Sequence, residues 1–128
     1  MEGEAVTLAF WSVFIAAWLP YVPFGLASGK LNPKTPRAGA ANLEGRAARA
    51  YGAHLNAFEA FPPFAAAVII AHIVEGPNTI VNVLALLFVA ARIAHMGFYL
   101  ADRQPPRSAA FTLGLLLIIA IFVTPAFH

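Results

Sequence analysis

The chain has 128 residues, 60% of them hydrophobic and 11% charged, with a formal net charge of +2 and no cysteine. That balance excludes an ordinary soluble domain of this length and fits a membrane protein with room for about four spanning helices of about 20 residues each. The absence of cysteine excludes disulfides, thiolate ligands and a protein-borne sulfur nucleophile, and the small charge, carried mostly between apolar runs, gives no support for a nucleic-acid partner.

In chain order, Met1 to Glu4 make a short acidic start to an uncharged run from Ala5 to Ala27. A cleaved signal peptide begins with a basic region and ends at a small-residue cleavage site, whereas this run begins acidic and continues through Pro20 and Pro23. It therefore predicts a retained first helix over about 5–27, kinked in its final turns by prolines that lack an amide hydrogen. Trp11, Trp18 and Tyr21 are either interfacial anchors or packed, lipid-facing aromatics. Residues 28–43 carry Lys30, Lys34 and Arg37 among Gly, Asn and Pro, which is loop composition. A second helix over about 44–74 follows, with Asn42 as its expected cap. Glu75-Gly-Pro-Asn78 is a turn, 79–101 a third helix, Asp102 to Arg107 a connection and 108–124 a fourth helix. The fold class is all-α, an integral membrane four-helix bundle in one domain.

Loop charges give an orientation. Lys30, Lys34, Arg37, Arg46 and Arg49 crowd the first connection, Arg103 and Arg107 mark the third, and the N-terminus and second turn carry acids only. The positive-inside rule places both basic loops in the cytoplasm and both termini outside. An integral membrane protein is the expected setting.

The organising stretch is Arg49-Ala-Tyr-Gly-Ala-His-Leu-Asn-Ala-Phe-Glu-Ala-Phe-Pro-Pro-Phe64, a polar string that runs into an apolar segment. Polar and ionisable groups at membrane depth are costly unless paired or given a task. Arg49, Asn56 and Glu59 fall on one helical stripe with Gly52, whereas His54 points to another side. Arg92, His95 and Tyr99 make a second stripe, and Arg107 opens the fourth helix beside Ser108. Each set also has a structural explanation. Arg49, Arg103 and Arg107 lie where basic side chains snorkel to headgroups, Glu59 and Arg92 are the right depth for an interhelical ion pair, and Asn56 suits a helix–helix hydrogen bond. His72, alone on an apolar face, reads as packing. Scattered histidines, with no His-x-x-x-His or Glu-x-x-His pair, give no metal set, and no glycine-rich phosphate loop is present.

The run Ala53-His-Leu-Asn-Ala-Phe-Glu-Ala-Phe-Pro62, with Arg49 seven residues before Asn56, resembles the signature of the MAPEG superfamily, the membrane-associated proteins in eicosanoid and glutathione metabolism. The similarity continues in Arg92-Ile-Ala-His-Met-Gly-Phe-Tyr99 and Pro106-Arg-Ser-Ala-Ala-Phe-Thr-Leu113, which resemble helix three and the start of helix four of the prostaglandin E synthase branch. The short chain and minimal loops are similar to bacterial members, which implies a bacterial inner membrane as the setting. The resemblance implies a homotrimer with sites at subunit interfaces on the cytoplasmic side. It implies glutathione as thiol co-substrate, held by Arg49, Asn56 and Glu59 and lined by Arg92, His95 and Tyr99, with Arg107 and Ser108 as the catalytic pair near the sulfur. The implied partners are the bilayer and a lipophilic small-molecule substrate. An arginine beside a thiol favours the nucleophilic thiolate, and glutathione carboxylates suit guanidinium forks. The chain departs from the pattern at Gly52, where eukaryotic enzymes usually carry an arginine, at Ala57, often acidic in that branch, and at Phe111, a tyrosine there. Two functions are expected candidates. One is a glutathione-dependent transferase or peroxidase for lipophilic electrophiles or lipid hydroperoxides; the other is a non-catalytic lipid- or partner-binding protein of the same fold.

Overall fold

A backbone in hydrocarbon has no water to bond, so an apolar segment must satisfy its amides internally, and helices do so. The computed structural model describes residues 5–127, and all its regular structure is helical. The acidic start at Met1–Glu4, used above for orientation, and His128 lie outside the described residues. The described residues form six α-helices: α1 (Leu8–Trp18), α2 (Tyr21–Ala27), α3 (Pro36–Ala40), α4 (Gly45–Glu75), α5 (Thr79–Leu100) and α6 (Gln104–Val123). Among them, four stretches are long and apolar enough to span a bilayer: Leu8–Lys30, Gly45–Glu75, Thr79–Leu100 and Gln104–Phe127.

Several boundaries differ from expectation, each for a local reason. The first span breaks at Leu19 and Pro20 into α1 and α2, where Pro20 has no amide to donate. Residues 36–40 coil into α3, begun by Pro36, inside what sequence composition marks as loop. Asn42 does not cap α4; its amide closes a turn onto the Gly39 carbonyl, and extended Glu44 precedes the helix with no side-chain cap. α4 runs unbroken through Pro62 and Pro63 and ends at Gly76, whose φ of 81° only glycine adopts freely. α6 begins at Gln104, earlier than expected, because Pro105 and Pro106 occupy its first turn, where a missing amide costs nothing. Arg107 and Ser108 are therefore on the helix.

The turns are tied down by side chains and backbone. Asn78 Oδ1 accepts from the amides of Ile80 and Val81 at 2.7 and 3.2 Å, which caps α5, and its own amide donates to the Glu75 carboxylate. At the other end of α5, Asp102 takes a φ of 60°, the Asp102 amide bonds the Tyr99 carbonyl at 3.1 Å and the Arg103 amide bonds the Phe98 carbonyl at 2.8 Å. This is the Schellman pattern, with aspartate in the left-handed position usually held by glycine. The turn between α5 and α6 is consequently short.

The core is built from small residues. Ala9, Ala16, Ala67, Ala71, Ala85 and Ala91 are buried around Phe64, Val68, Val81, Phe88, Leu117 and Ile121. Lipid is as apolar as leucine, so association depends on close van der Waals contact, and alanines let helix backbones approach. Phe64 of α4 and Phe88 of α5 stack at 4.0 Å between centroids, joining the two halves of the bundle. Where the start of α1 meets the end of α4, the Thr7 hydroxyl and His72 Nε2 lie 2.9 Å apart, His72 Nδ1 donates to the Val68 carbonyl at 2.8 Å, and the ring stacks on Phe10 at 3.9 Å. His72 is a packing residue. The opposite end carries Lys30, Lys34, Arg37, Arg46, Arg49, Arg103 and Arg107, and is called the basic end below.

Replacing Phe64 with alanine should cost about 3 kcal/mol, the low end for such truncations because lipid rather than water surrounds the bundle. Thermal unfolding in detergent should show a large fall in midpoint for Phe64→Ala and almost none for Ile93→Ala, whose parent side chain is exposed.

Candidate functional site

A cleft of about 180 Å3 opens between α4, α5 and α6. α4 supplies Asn56, Glu59, Ala60 and Pro63, α5 supplies Phe88 and Arg92, and α6 supplies Phe111, Gly114, Leu115 and Ile118. Asn56 and Glu59 are three residues apart, so they share a helical face, and Pro63 one turn beyond Glu59 continues it. Arg92 is 4% exposed. Its Nη2 donates to Asn56 Oδ1 at 2.5 Å, and the stem of its side chain passes within van der Waals reach of Gly114.

This pairing replaces the expected Glu59–Arg92 ion pair. Glu59 makes no hydrogen bond or ion pair with any described residue and is exposed where it lines the cleft. The guanidinium is thus held by a neutral amide, and its positive charge is not cancelled within the described residues.

Toward the basic end a second cluster begins. His95 is 3% exposed, and its Nδ1 is buried without a hydrogen-bond partner. Its ring stands 5.7 Å from Tyr99 and 6.1 Å from Phe111, which also lines the cleft, so the two clusters are contiguous. Arg107 lies over the Tyr99 ring at 4.5 Å from the centroid. A cation on a ring face is attracted by the quadrupole, which fixes the guanidinium without neutralising it. Ser108 is exposed, and its Oγ accepts from Gln104 Nε2 at 2.8 Å, one turn back on α6.

The remaining expected residues have specific places. Arg49 does not enter the cleft; its Nε donates to the Leu100 carbonyl at 3.3 Å, so it satisfies one of the orphan carbonyls at the end of α5. Its terminal nitrogens make no bond to described residues. Gly52 lies under Tyr99. A Cβ there would stand 2.9 Å from Tyr99 Cζ and 3.1 Å from Cε1, with the hydroxyl oxygen closer still. Glycine at this position therefore makes room for the ring that carries Arg107. Sequence reasoning gave Gly52 only the meaning of a missing arginine. It also missed Gly114, Leu115 and Ile118, which join Phe111 on the α6 wall of the cleft at a spacing that an apolar span hides. No group of three or more metal-binding side chains is found among the described residues.

The family model described as the MAPEG family matches residues 8–127, essentially the whole chain. No curated protein and no solved structure gives a match.

Truncating Asn56 to alanine leaves a buried guanidinium without its acceptor, so it should cost about 2 kcal/mol, whereas Glu59→Gln should leave the isolated chain near wild type. Thermal unfolding in detergent separates the two. Adding a methyl at Gly52 should overpack the Tyr99 contact by about 1 kcal/mol, and Tyr99→Ala should remove most of that penalty when combined with it. A double-mutant cycle that came out additive would mean the close approach is not felt.

Proposed function

The chain belongs to the MAPEG family, and from that premise we propose that it is a glutathione-dependent transferase or peroxidase acting on lipophilic electrophiles or lipid hydroperoxides that reach the α4–α5–α6 cleft through the bilayer. One observation carries this reading: the arginines around the site have neutral partners only. Arg92 bonds an amide, Arg107 lies on a ring and Arg49 bonds a carbonyl. Buried or half-buried cations of this kind call for a counter-charge from outside the chain. A tripeptide with two carboxylates and a thiol that ionises supplies it.

In this proposal Arg49, Asn56 and Glu59 hold the tripeptide, with Glu59 facing its ammonium group. Arg92, His95 and Tyr99 line the site. Arg107 stands by the sulfur, where its charge favours the thiolate, and Ser108 donates to the same atom after leaving Gln104. With an electrophile, the thiol proton first passes to water. The thiolate then forms the carbon–sulfur bond as the bond from that carbon to its leaving group breaks, the leaving group departing with the electron pair and taking a proton from water. With a hydroperoxide, sulfur attacks the terminal oxygen, the oxygen–oxygen bond breaks and the alkoxide leaves as an alcohol. A second glutathione then converts the sulfenic acid to a disulfide and releases water. The assembly is proposed to be a homotrimer with the site between subunits. Exposed, unpaired Glu59 supports this, because a carboxylate at that depth is costly against lipid and tolerable against a neighbouring copy.

Gly52 favours a second reading, a non-catalytic protein that binds a lipid in the same cleft. The space over it is filled by the Tyr99 ring rather than by a further cation for a carboxylate.

The ultraviolet difference spectrum of the detergent-solubilised protein under glutathione titration decides between them. The enzyme reading expects a thiolate band that saturates and is lost in Arg107→Ala. Absence of both the band and any glutathione binding at millimolar concentration overturns it in favour of the lipid-binding reading.

A further inference from the structure

The face of α4 turned away from the cleft carries a second concavity. Four aromatic rings surround the His54 imidazole: Phe24 at 5.0 Å between centroids, Tyr51 and Phe58 each at 5.8 Å, and Tyr21 at 6.2 Å. With Arg37 from α3 they line a cavity of about 310 Å3 that shares no residue with the α4–α5–α6 cleft. That volume accepts a small polar headgroup but not the chains of an amphiphile.

His54 is oriented by backbone. Its Nδ1 bonds the Pro20 carbonyl oxygen at 2.8 Å, and since a carbonyl can only accept, Nδ1 carries the proton. In the neutral ring Nε2 is then an acceptor, and no described residue bonds it. Pro20 is where the first span breaks, so the break also places the carbonyl that aims this ring.

Depth follows from helix length. The 31 residues of α4 extend ~46 Å at ~1.5 Å per residue, ~16 Å more than a hydrocarbon core of ~30 Å. Residues 60–74 carry no charged side chain, while Arg46 and Arg49 stand in the first two turns, so the excess belongs to the N-terminal end. His54, ~14 Å from that end, comes to the boundary between hydrocarbon and headgroups. The segment over the cavity is basic, with Lys30, Lys34 and Arg37, and Glu44 as its acid. Below it, Tyr21 and Phe58 remain 49% and 51% exposed.

We propose that this pocket holds one anionic phospholipid of the phosphatidylglycerol type. Its phosphate rests on Arg37, a headgroup hydroxyl donates to His54 Nε2, and its acyl chain lies along the exposed sides of Tyr21 and Phe58. Charge complementarity selects an anionic over a zwitterionic lipid, and the open acceptor nitrogen selects a hydroxyl-bearing headgroup.

Native mass spectrometry of the delipidated full chain in detergent tests this, with phosphatidylglycerol and phosphatidylcholine of identical chains as probes and inorganic phosphate as competitor. One phosphatidylglycerol should be retained about tenfold more tightly than phosphatidylcholine. Arg37→Gln should weaken it about fivefold, the effect of one basic residue at headgroup level. Arg46→Gln, outside the cavity, should change it by less than about twofold. Tyr21→Ser should weaken retention of the lipid while leaving any binding of phosphate alone unchanged. Equal retention of the two lipids overturns the proposal. So does an Arg46→Gln effect equal to that of Arg37→Gln, which marks a diffuse surface field, or displacement of the lipid by inorganic phosphate, which marks an ion site.

Discussion

The arrangement depends on one buried guanidinium held by a neutral amide. Arg92 of α5 and Asn56 of α4 meet at 2.5 Å in a setting where neither can be left to solvent. An ion pair at this depth would have cancelled the charge and closed the site. An amide satisfies a donor while leaving the charge in place, so the same contact both fixes α4 against α5 and keeps the cleft electropositive. The arginine stem and the ring of Phe88, which stacks on Phe64, both pass close to Gly114 of α6, where an added Cβ would make ordinary contact with each. Three helices thus meet around one side chain.

The basic end repeats this economy with different chemistry. Arg49 bonds a helix-terminal carbonyl, Arg107 lies on an aromatic face and His54 bonds the carbonyl of Pro20. Each polar group is positioned by something uncharged. Membrane insertion rewards this, since every buried charge pair has to be desolvated before its members find one another, while a backbone carbonyl is already in place. Cations held in this way remain available to an anionic ligand.

Much of this was legible in the sequence, for physical reasons. The four spans follow from apolar length alone, and the stripes of Asn56 with Glu59 and of Arg92 with His95 follow from helical periodicity. Periodicity gives a face but not a partner. It could not decide between Asn56 and Glu59 for Arg92, because both lie on the facing stripe and the choice depends on the axial offset of α4 and α5. Arg49 was legible as a polar residue near a helix end, yet its bond to Leu100 involves a carbonyl that no side-chain pattern reveals. The meaning of Gly52 was hidden similarly, since its value lies in a ring contributed from far along the chain. The short helix α3 escaped because a basic, proline-containing stretch has loop composition whether or not it coils for one turn.

The turn joining α5 to α6 has a consequence for how the chain tolerates change of length. Asp102 alone bridges the left-handed step, and the helices on either side begin or end within a residue or two of it. One additional residue there would rotate all of α6 by ~100° about its axis. His95 and Arg107 would no longer share Tyr99, and Gly114 would leave the path of Arg92. The connection between α2 and α4 is under no such restriction: it is long and exposed over most of its length, with Leu31, Pro36 and Arg37 as the part held against the bundle. Insertions and deletions accepted among sequences of this fold should accumulate there, and the α5–α6 junction should keep constant length even where its residues change.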